Sequence, residues 1–351
     1  MARSILDGFL RELLASREVT AAAAVVGDGR AISCEAAAGC KSREGDGRVT
    51  TASLFDLASL TKPVTATLAL RLDRDGTLPL TRTVSRSLAN SAWGADRSLA
   101  RRRLGTLLRH RAGLRPWAPL YSLCRGRRNA LRYLCQTASL YGALPGTYSD
   151  LDFVLWGLLA EHVTGLGLPD LLRRGVVRPL GERGLVPSPA PPAGAVECRL
   201  NGSRERQLAA GLGLTLSARR PQPVGRVQDH NAASLGGLAG HAGLFGSVRA
   251  VWRLGSEWLR PTVLLSQSAV DSALSGRGAG RRGYVLGWRK NPPQTKTRAG
   301  TWFGHTGFTG CGVWFSRLDG RDGEIRVLLA HRRSVAVDMG PWQRRFLALP
   351  V

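Results

Sequence analysis

"SLFDLASLTKPVTATLALRLDRDG", residues 53–76, is the stretch on which the reading of this chain turns. Ser59 and Lys62 stand three places apart at the start of a segment whose Val64, Leu68, Leu70 and Leu72 are available for burial. Positions i and i+3 share a helix face, so the lysine can reach the serine hydroxyl. The pair is either a nucleophile beside the group that takes its proton, or a serine cap followed by an unrelated lysine. A serine is a poor nucleophile until a neighbour accepts its proton, and a helix N-terminus offers N–H groups to a developing oxyanion. Pro63 fits either reading, because the first turn has no use for its missing N–H. Ser59-Leu60-Thr61-Lys62 is the only S-x-x-K in the chain.

The rest of the sequence bounds the answer. A chain of 351 residues with 43% hydrophobic content suits one large domain or two intimately joined lobes. No apolar run approaches the roughly eighteen residues of a membrane span. Residues 1–17 place Ile5, Leu6, Phe9, Leu10, Leu13 and Leu14 on one helical face, which is an amphipathic helix and not a signal-peptide core. The expected location is therefore cytoplasmic, with export if the true start lies upstream. The six cysteines are scattered without C-x-x-C spacing and read as reduced and structural, with no metal site. The formal charge of +25 raises the question of nucleic acid, yet only four of the 50 basic residues are lysine. Arginine spread along a chain with 43 glycines points to codon composition as readily as to binding, and no specific nucleic-acid partner is expected.

Periodicity and turn residues give a coarse organisation. "TAAAAVVGDGRAISCEAAAG", 20–39, reads as two strands joined at Gly27-Asp28-Gly29, although the alanine run is a weak strand signal. Helical pieces are expected at 104–111, 129–139, 150–164 and 168–178, and the Pro-rich 186–195 as an irregular connection. Helices near 247–259 and 266–274 precede strand-like segments at 283–288, 301–305, 311–316 and 325–331, with a last helix at 339–348. Strands at both ends and helices between them imply an α/β (α+β) fold: an antiparallel sheet flanked by helices, with a mainly helical lobe inserted. The expected division is one catalytic domain over 1–351, with 1–80 and 215–351 forming the α/β lobe and 81–214 the inserted lobe.

Two further elements bear on the Ser59 question. "PGTYSDLDFVLWGLLAEHVTG", 145–165, sets Tyr148 just before a helix and Asp150 two residues on. Ser149 or Asp150 serves as a cap in the plain reading; in the chemical one, Tyr148 near the Lys62 cation is a phenolate base. "WFGHTGFTGCGVW", 302–314, is a strand interrupted by three glycines, a pattern that marks close approach of a ligand to the backbone. His241 in "GGLAGHAGLFG" reads as a hydrogen-bonded structural histidine, His110 as another, and Asp229-His230 lacks the third ligand a metal would need.

Taken in order, "LFDLASLTKPVTA", "LLRHRAGL", "PGTYSDLDFVLWG", "DHNAASLGGLAGHAGLFG" and "FGHTGFTGCGVWF" resemble the serine β-lactamase-related hydrolases, the superfamily of class C β-lactamases, D-alanyl-D-alanine carboxypeptidases and related esterases. The resemblance runs from about residue 20 to 335 and implies a β-lactamase/penicillin-binding-protein transpeptidase-like fold. It implies Ser59 as the acylated nucleophile, Lys62 as its activating partner and Tyr148 as the general base. The Lys/His-Thr-Gly motif falls on His305-Thr306-Gly307, which would meet the substrate carboxylate or the leaving group, and the oxyanion hole on the N–H groups of Ser59 and Phe308. Two positions depart from the pattern: Asp150 replaces the asparagine of Tyr-x-Asn, and His305 replaces lysine. A carboxylate accepts but does not donate, so Asp150 cannot hold a substrate carbonyl as an amide does, though it can pair with Lys62.

The expected function is a serine hydrolase acting through an acyl-enzyme on an ester, amide or D-amino-acid peptide, with no cofactor. The departures make efficient β-lactam hydrolysis less favoured than esterase or peptidase-like activity. They also motivate the rival reading, a catalytically weak penicillin-binding or sensor-like protein of the same fold.

Overall fold

A computed structural model describes the chain apart from residues 43, 46, 192, 201, 218–220, 276–282 and 318–322. Strands β1 (Val19–Asp28) and β2 (Ile32–Gly39) form the N-terminal hairpin. Short strands β3 (Phe55–Asp56), β4 (Leu185–Pro187) and β5 (Leu244–Gly246) follow, then β6 (Arg289–Lys290), β7 (Thr301–Thr306), β8 (Gly312–Arg317) and β9 (Glu324–Arg332). The main sheet is antiparallel in the order β2-β1-β9-β8-β7-β6, so the two chain ends meet at its centre. A second small sheet, β3-β5-β4, lies where the Ser59 segment leaves the strand region.

The alanine run that argues weakly for a strand is the centre of the sheet. Because side chains alternate, Ala21, Ala23 and Val25 enter one core and Ala22, Ala24 and Val26 the other. Each strand face is covered by helices, and small side chains let those helices come close. On one face the N-terminal helix Ala2–Ala15 buries Leu6, Phe9, Leu10 and Leu13 beside Phe346 and Leu347 of the last helix, Gly340–Leu347. On the other face lie Val251, Leu254 and Trp258 of the helix Val248–Leu259.

Most expected elements fall near their places, with three corrections. Residues 283–288 are not a strand: positive φ at Gly283 and Gly287 bends that stretch, and only Arg289–Lys290 pairs with β7. The Pro-rich segment begins with a real strand, since Leu185–Pro187 pairs with Leu244–Gly246. The β1–β2 turn lies beyond Gly27-Asp28, where Asp28 Oδ1 accepts the N–H groups of Arg30 and Ala31. The helical region between the strands is centred on Asp150–Thr164, buried on nearly all sides, capped by Ser149 and closed by Gly165 in the left-handed region.

Arg326 in β9 shows how the C-terminus is held. It is 2% exposed, and its guanidinium donates to the carbonyls of Phe346 at 2.8 Å and Leu349 at 2.9 Å while pairing with Glu324. Replacing it by alanine removes the buried donor to these carbonyls and one of the two arginine partners of Glu324, which keeps Arg298, so Arg326→Ala is expected to cost about 1–3 kcal/mol, read as a shift in the urea midpoint. A midpoint unchanged from wild type would show that the contacts contribute nothing net.

Candidate active site

The Ser59 helix starts in two steps. A 3-10 turn covers Ala58–Leu60 and the α-helix runs over Thr61–Arg74, which puts Ser59 at the mouth and Lys62 one turn in. Ser59 is half-buried and Lys62 fully buried. The Lys62 ammonium donates to Ser59 Oγ at 2.8 Å and to Asp150 Oδ1 at 2.7 Å, and lies 3.5 Å from the His241 carbonyl oxygen. Burial works against its charge, but Asp150 and then Tyr148 more than offset this and hold its pKa above the ordinary lysine value. Tyr148 sits with its ring centroid 4.8 Å from the same nitrogen.

Here the structure corrects the expectation of a phenolate. Burial pushes the Tyr148 phenol up to about 12; the Lys62 charge and hydrogen bonding with Lys62 and Ser59 offset this only in part, and Asp150 adds to the rise. At neutral pH the pair is therefore ammonium and phenol, with the ammonium 2.7 Å from Asp150 Oδ1. The carboxylate that stands in place of an amide is committed to Lys62.

His110 and Tyr284 shape the wall behind Tyr148. The ring centroids lie 4.5 Å apart for His110 and Tyr148, and 4.9 Å apart for His110 and Tyr284. His110 Nδ1 accepts the Ser149 N–H at 3.1 Å, and burial, followed by the charge of Lys62, keeps its pKa well below the usual histidine value. Neighbouring Asp152 is 1% exposed, and burial raises its pKa well above the aspartate range. Tyr284 lies in "GYVLGW", where the sequence offers only a strand-like pattern, and no local signal marks it as an active-site wall.

The third motif lies on β7 and the turn after it. Gly307 presses on the Ser59 turn so closely that a Cβ there would be 2.6 Å from the Leu57 carbonyl oxygen. Its N–H donates to the Cys311 carbonyl at 2.7 Å, and the Phe308 N–H donates to no backbone carbonyl among the described residues. His305 Nδ1 is 3.0 Å from the Thr306 carbonyl oxygen, which can only accept, so Nδ1 carries the hydrogen and Nε2 the lone pair. Burial, then the Lys62 charge, lowers His305 to about 3, and the imidazole is neutral. Ser59, Tyr148, Asp150, His305, Thr306, Gly307 and Phe308 all line one cavity of about 740 Å³, with Lys62 in the wall behind them. Arg204, Glu205, Asp229, Arg289 and Arg332 line the same cavity. His241 Nε2 lies 3.1 Å from Asp229 Oδ1, an ion-pair distance behind Lys62.

An antiparallel sheet with helices on both faces, and a serine–lysine pair at a helix start facing the His-Thr-Gly of β7, define a β-lactamase-type fold. Comparison with known proteins agrees: the Beta-lactamase family model matches residues 6–339, and the chain belongs to that family. A relative from Escherichia coli O157:H7, provisionally named a D-alanyl-D-alanine carboxypeptidase, is 29% identical over 299 residues, 75% of this chain. The chain spans 66% of the length of that relative. Among solved structures, EstCE1, described as a hydrolase with promiscuous acyltransferase activity, superposes with a TM-score of 0.75 at 19% identity over 97% of both chains. A class C β-lactamase from Rhodobacter sphaeroides gives 0.70 at 18% identity, also over 97% of both chains. Among the described residues no single helix is long and apolar enough to cross a membrane.

Proposed function

We propose that this chain is a serine hydrolase in which Ser59 is acylated and water then releases the acyl group. The observation that carries the reading is the 2.8 Å contact between Lys62 and Ser59 Oγ at the edge of the cavity that also holds His305-Thr306-Gly307. The proton of Ser59 needs an acceptor, and neither an ammonium nor a phenol is one. Asp150 is. As Oγ attacks the acyl carbon, the serine proton passes to Lys62 while Lys62 passes one of its own to Asp150, and the carbonyl π electrons move onto oxygen. The lysine leaves the step as charged as it entered. Tyr148 then gives its phenolic proton to the leaving group, Asp150 returns a proton through Lys62 to the phenolate, and the same groups act in reverse order on the attacking water. The N–H groups of Ser59 and Phe308 would hold the oxyanion; losing one such donor typically costs ~100- to 1,000-fold in rate.

Esters, amides and D-amino-acid peptides remain the substrate classes the site suits. A neutral His305 with its lone pair on Nε2 offers no cation to a substrate carboxylate and fits better beside a leaving group. A substrate carboxylate would instead meet Arg289, whose strand position is opposite Gly304 in the register, one residue from His305. The carboxypeptidase name of the relatives is compatible with such a substrate.

The protonated resting state of Lys62 and Tyr148 also favours a second reading, an acyl trap that forms the acyl-enzyme and releases it slowly. Intact-protein mass spectrometry after mixing with a β-lactam separates the two: a transient adduct supports the hydrolase, and one that lasts for hours supports the trap.

Ser59→Ala is expected to abolish turnover of an activated ester and labelling by a fluorophosphonate; wild-type-like turnover by that variant would sink the mechanism. Asp150→Asn removes the negative charge that holds the Lys62 proton, so the lysine gives it up more readily. The same change removes the acceptor of the relayed serine proton, so kcat/KM for the ester at neutral pH should fall by about ten-fold or more, and the remaining activity should rise with pH as Lys62 loses its proton. A neutral-pH kcat/KM equal to that of wild type would show that Asp150 is not the acceptor.

A further inference from the structure

Asp56 lies three residues before Ser59, on β3, and is 1% exposed. Its Oδ1 accepts the N–H of Ala58 at 2.9 Å and its Oδ2 accepts the N–H of Gln228 at 2.8 Å. Its backbone oxygen accepts the Thr309 hydroxyl at 2.8 Å and faces the Cys311 thiol at 3.6 Å. Ala58, between Asp56 and the serine, has φ 46°, a left-handed conformation that an alanine holds only when its surroundings impose it. Gln228 precedes Asp229, which pairs with His241, whose carbonyl faces Lys62. One buried residue thus bonds the nucleophile turn, the segment behind Lys62 and the turn that carries Phe308.

We propose that the ionised Asp56 carboxylate is a positioning residue for acylation: by accepting both the Ala58 and Gln228 N–H groups it holds the strained nucleophile turn in register with the 226–230 segment. The proposal rests on Ser59 being the nucleophile. Both carboxylate oxygens are strong acceptors, whereas protonation leaves a neutral hydroxyl that accepts more weakly from one of the two N–H groups, and an amide sets an NH2 donor against it and gives up that bond. A small displacement of the turn then moves Oγ off its line of attack.

Asp56 is faced by Gln228 and Asp229 from the 225–229 segment, by Thr309 and Cys311 from the turn into β8, and by His331 from β9. Burial lowers His331 to about 4 and raises the Cys311 thiol to about 12. For Asp56 itself burial raises the pKa to about 6, offset in part by the Gln228 and Ala58 N–H groups and reinforced by Asp229. The folded chain therefore holds this proton more tightly than the unfolded one. The contribution of Asp56 to stability grows as pH falls from above 6 toward the ordinary aspartate range, so protonation removes positioning without unfolding the protein.

The test is the rate of fluorophosphonate labelling of the full chain between pH 5 and 8, with near-UV circular dichroism followed in parallel. Wild type should lose at least about ten-fold in rate as pH falls through 6 while the spectrum is unchanged. Asp56→Asn should label about 10- to 100-fold more slowly at pH 8, lack the step near pH 6, and lower kcat on an activated ester with KM little changed. Labelling of Asp56→Asn at the wild-type rate, or with the step retained, overturns the proposal. If that variant does not fold, wild type alone decides: a rate that is flat from pH 8 to 5, or that falls only as the spectrum is lost, overturns it equally. Ser59→Ala separates the two levels. Wild-type labelling of Ser59→Ala would defeat the nucleophile reading itself, while a silent Ser59→Ala beside a fully active Asp56→Asn would defeat only this role for Asp56.

Discussion

A lysine ammonium with no exposed surface has to find its compensation inside the protein. Lys62 finds it in three places that are far apart in the chain: the Ser59 hydroxyl, the Asp150 carboxylate and the His241 carbonyl. The start of the Ser59 helix, the N-terminus of the central helix and the glycine-rich bend at 236–243 must therefore converge on one point. The bend can come close enough because Gly240 has no Cβ, which would lie 2.1 Å from the Phe153 carbonyl oxygen. The Thr65 hydroxyl donates to the Gly240 carbonyl at 2.8 Å and fixes the approach from the other side. The cluster around Lys62 is in this sense a packing solution for one buried charge.

The sheet serves that convergence by supplying a rigid edge. With β1 and β9 paired at the centre and helices on both faces, β7 is held one strand from the edge, and its last residues meet the Ser59 turn. Cys311 and Thr309, just past the His-Thr-Gly motif, hydrogen-bond to the Asp56 carbonyl and lock the two elements together. Side-chain bonds to one backbone carbonyl thus join the two walls of the cavity, along which the side chains of Arg289 and Arg332 also lie.

How much of this the sequence carried depends on the kind of signal. Motifs of fixed spacing were legible: Ser59 and Lys62 are one turn apart because helical geometry requires it, and Ser149 caps the central helix as its residue type suggests. The pairing of Asp150 with Lys62 was open to reasoning because a carboxylate cannot take over the donor role of an amide. The protonation of Tyr148 was not, because sequence shows the nearby cation but not the burial that outweighs it. Ala21–Ala24 read poorly as a strand because alanine has low strand propensity, and its place between two helical layers is a tertiary fact. Tyr284 and the bond from Gln228 to Asp56 were invisible for a similar reason, since both depend on chain segments more than a hundred residues away. Asp56 left one trace, an aspartate two residues before a residue forced into a left-handed turn, where side-chain capping of the backbone is common.

The two departures from the family pattern act in one direction on the charge of the site. Aspartate for asparagine at 150 adds a negative charge, and histidine for lysine at 305 removes a positive one, because burial and Lys62 keep that imidazole neutral. Lys62 is then balanced by Asp150, and the centre of the cavity carries no net positive charge to draw in an anionic acyl donor. The lost cationic character lies farther out, in Arg204, Arg289 and Arg332 along the cavity wall. A substrate read by those arginines must place its anionic group at a distance from the scissile carbonyl or along the β6–β7 edge. A neutral ester needs no such group and meets only the balanced centre. On the hydrolase reading proposed above, the same substitutions weaken the fit for a compact charged lactam and leave acyl transfer from uncharged or extended donors chemically intact.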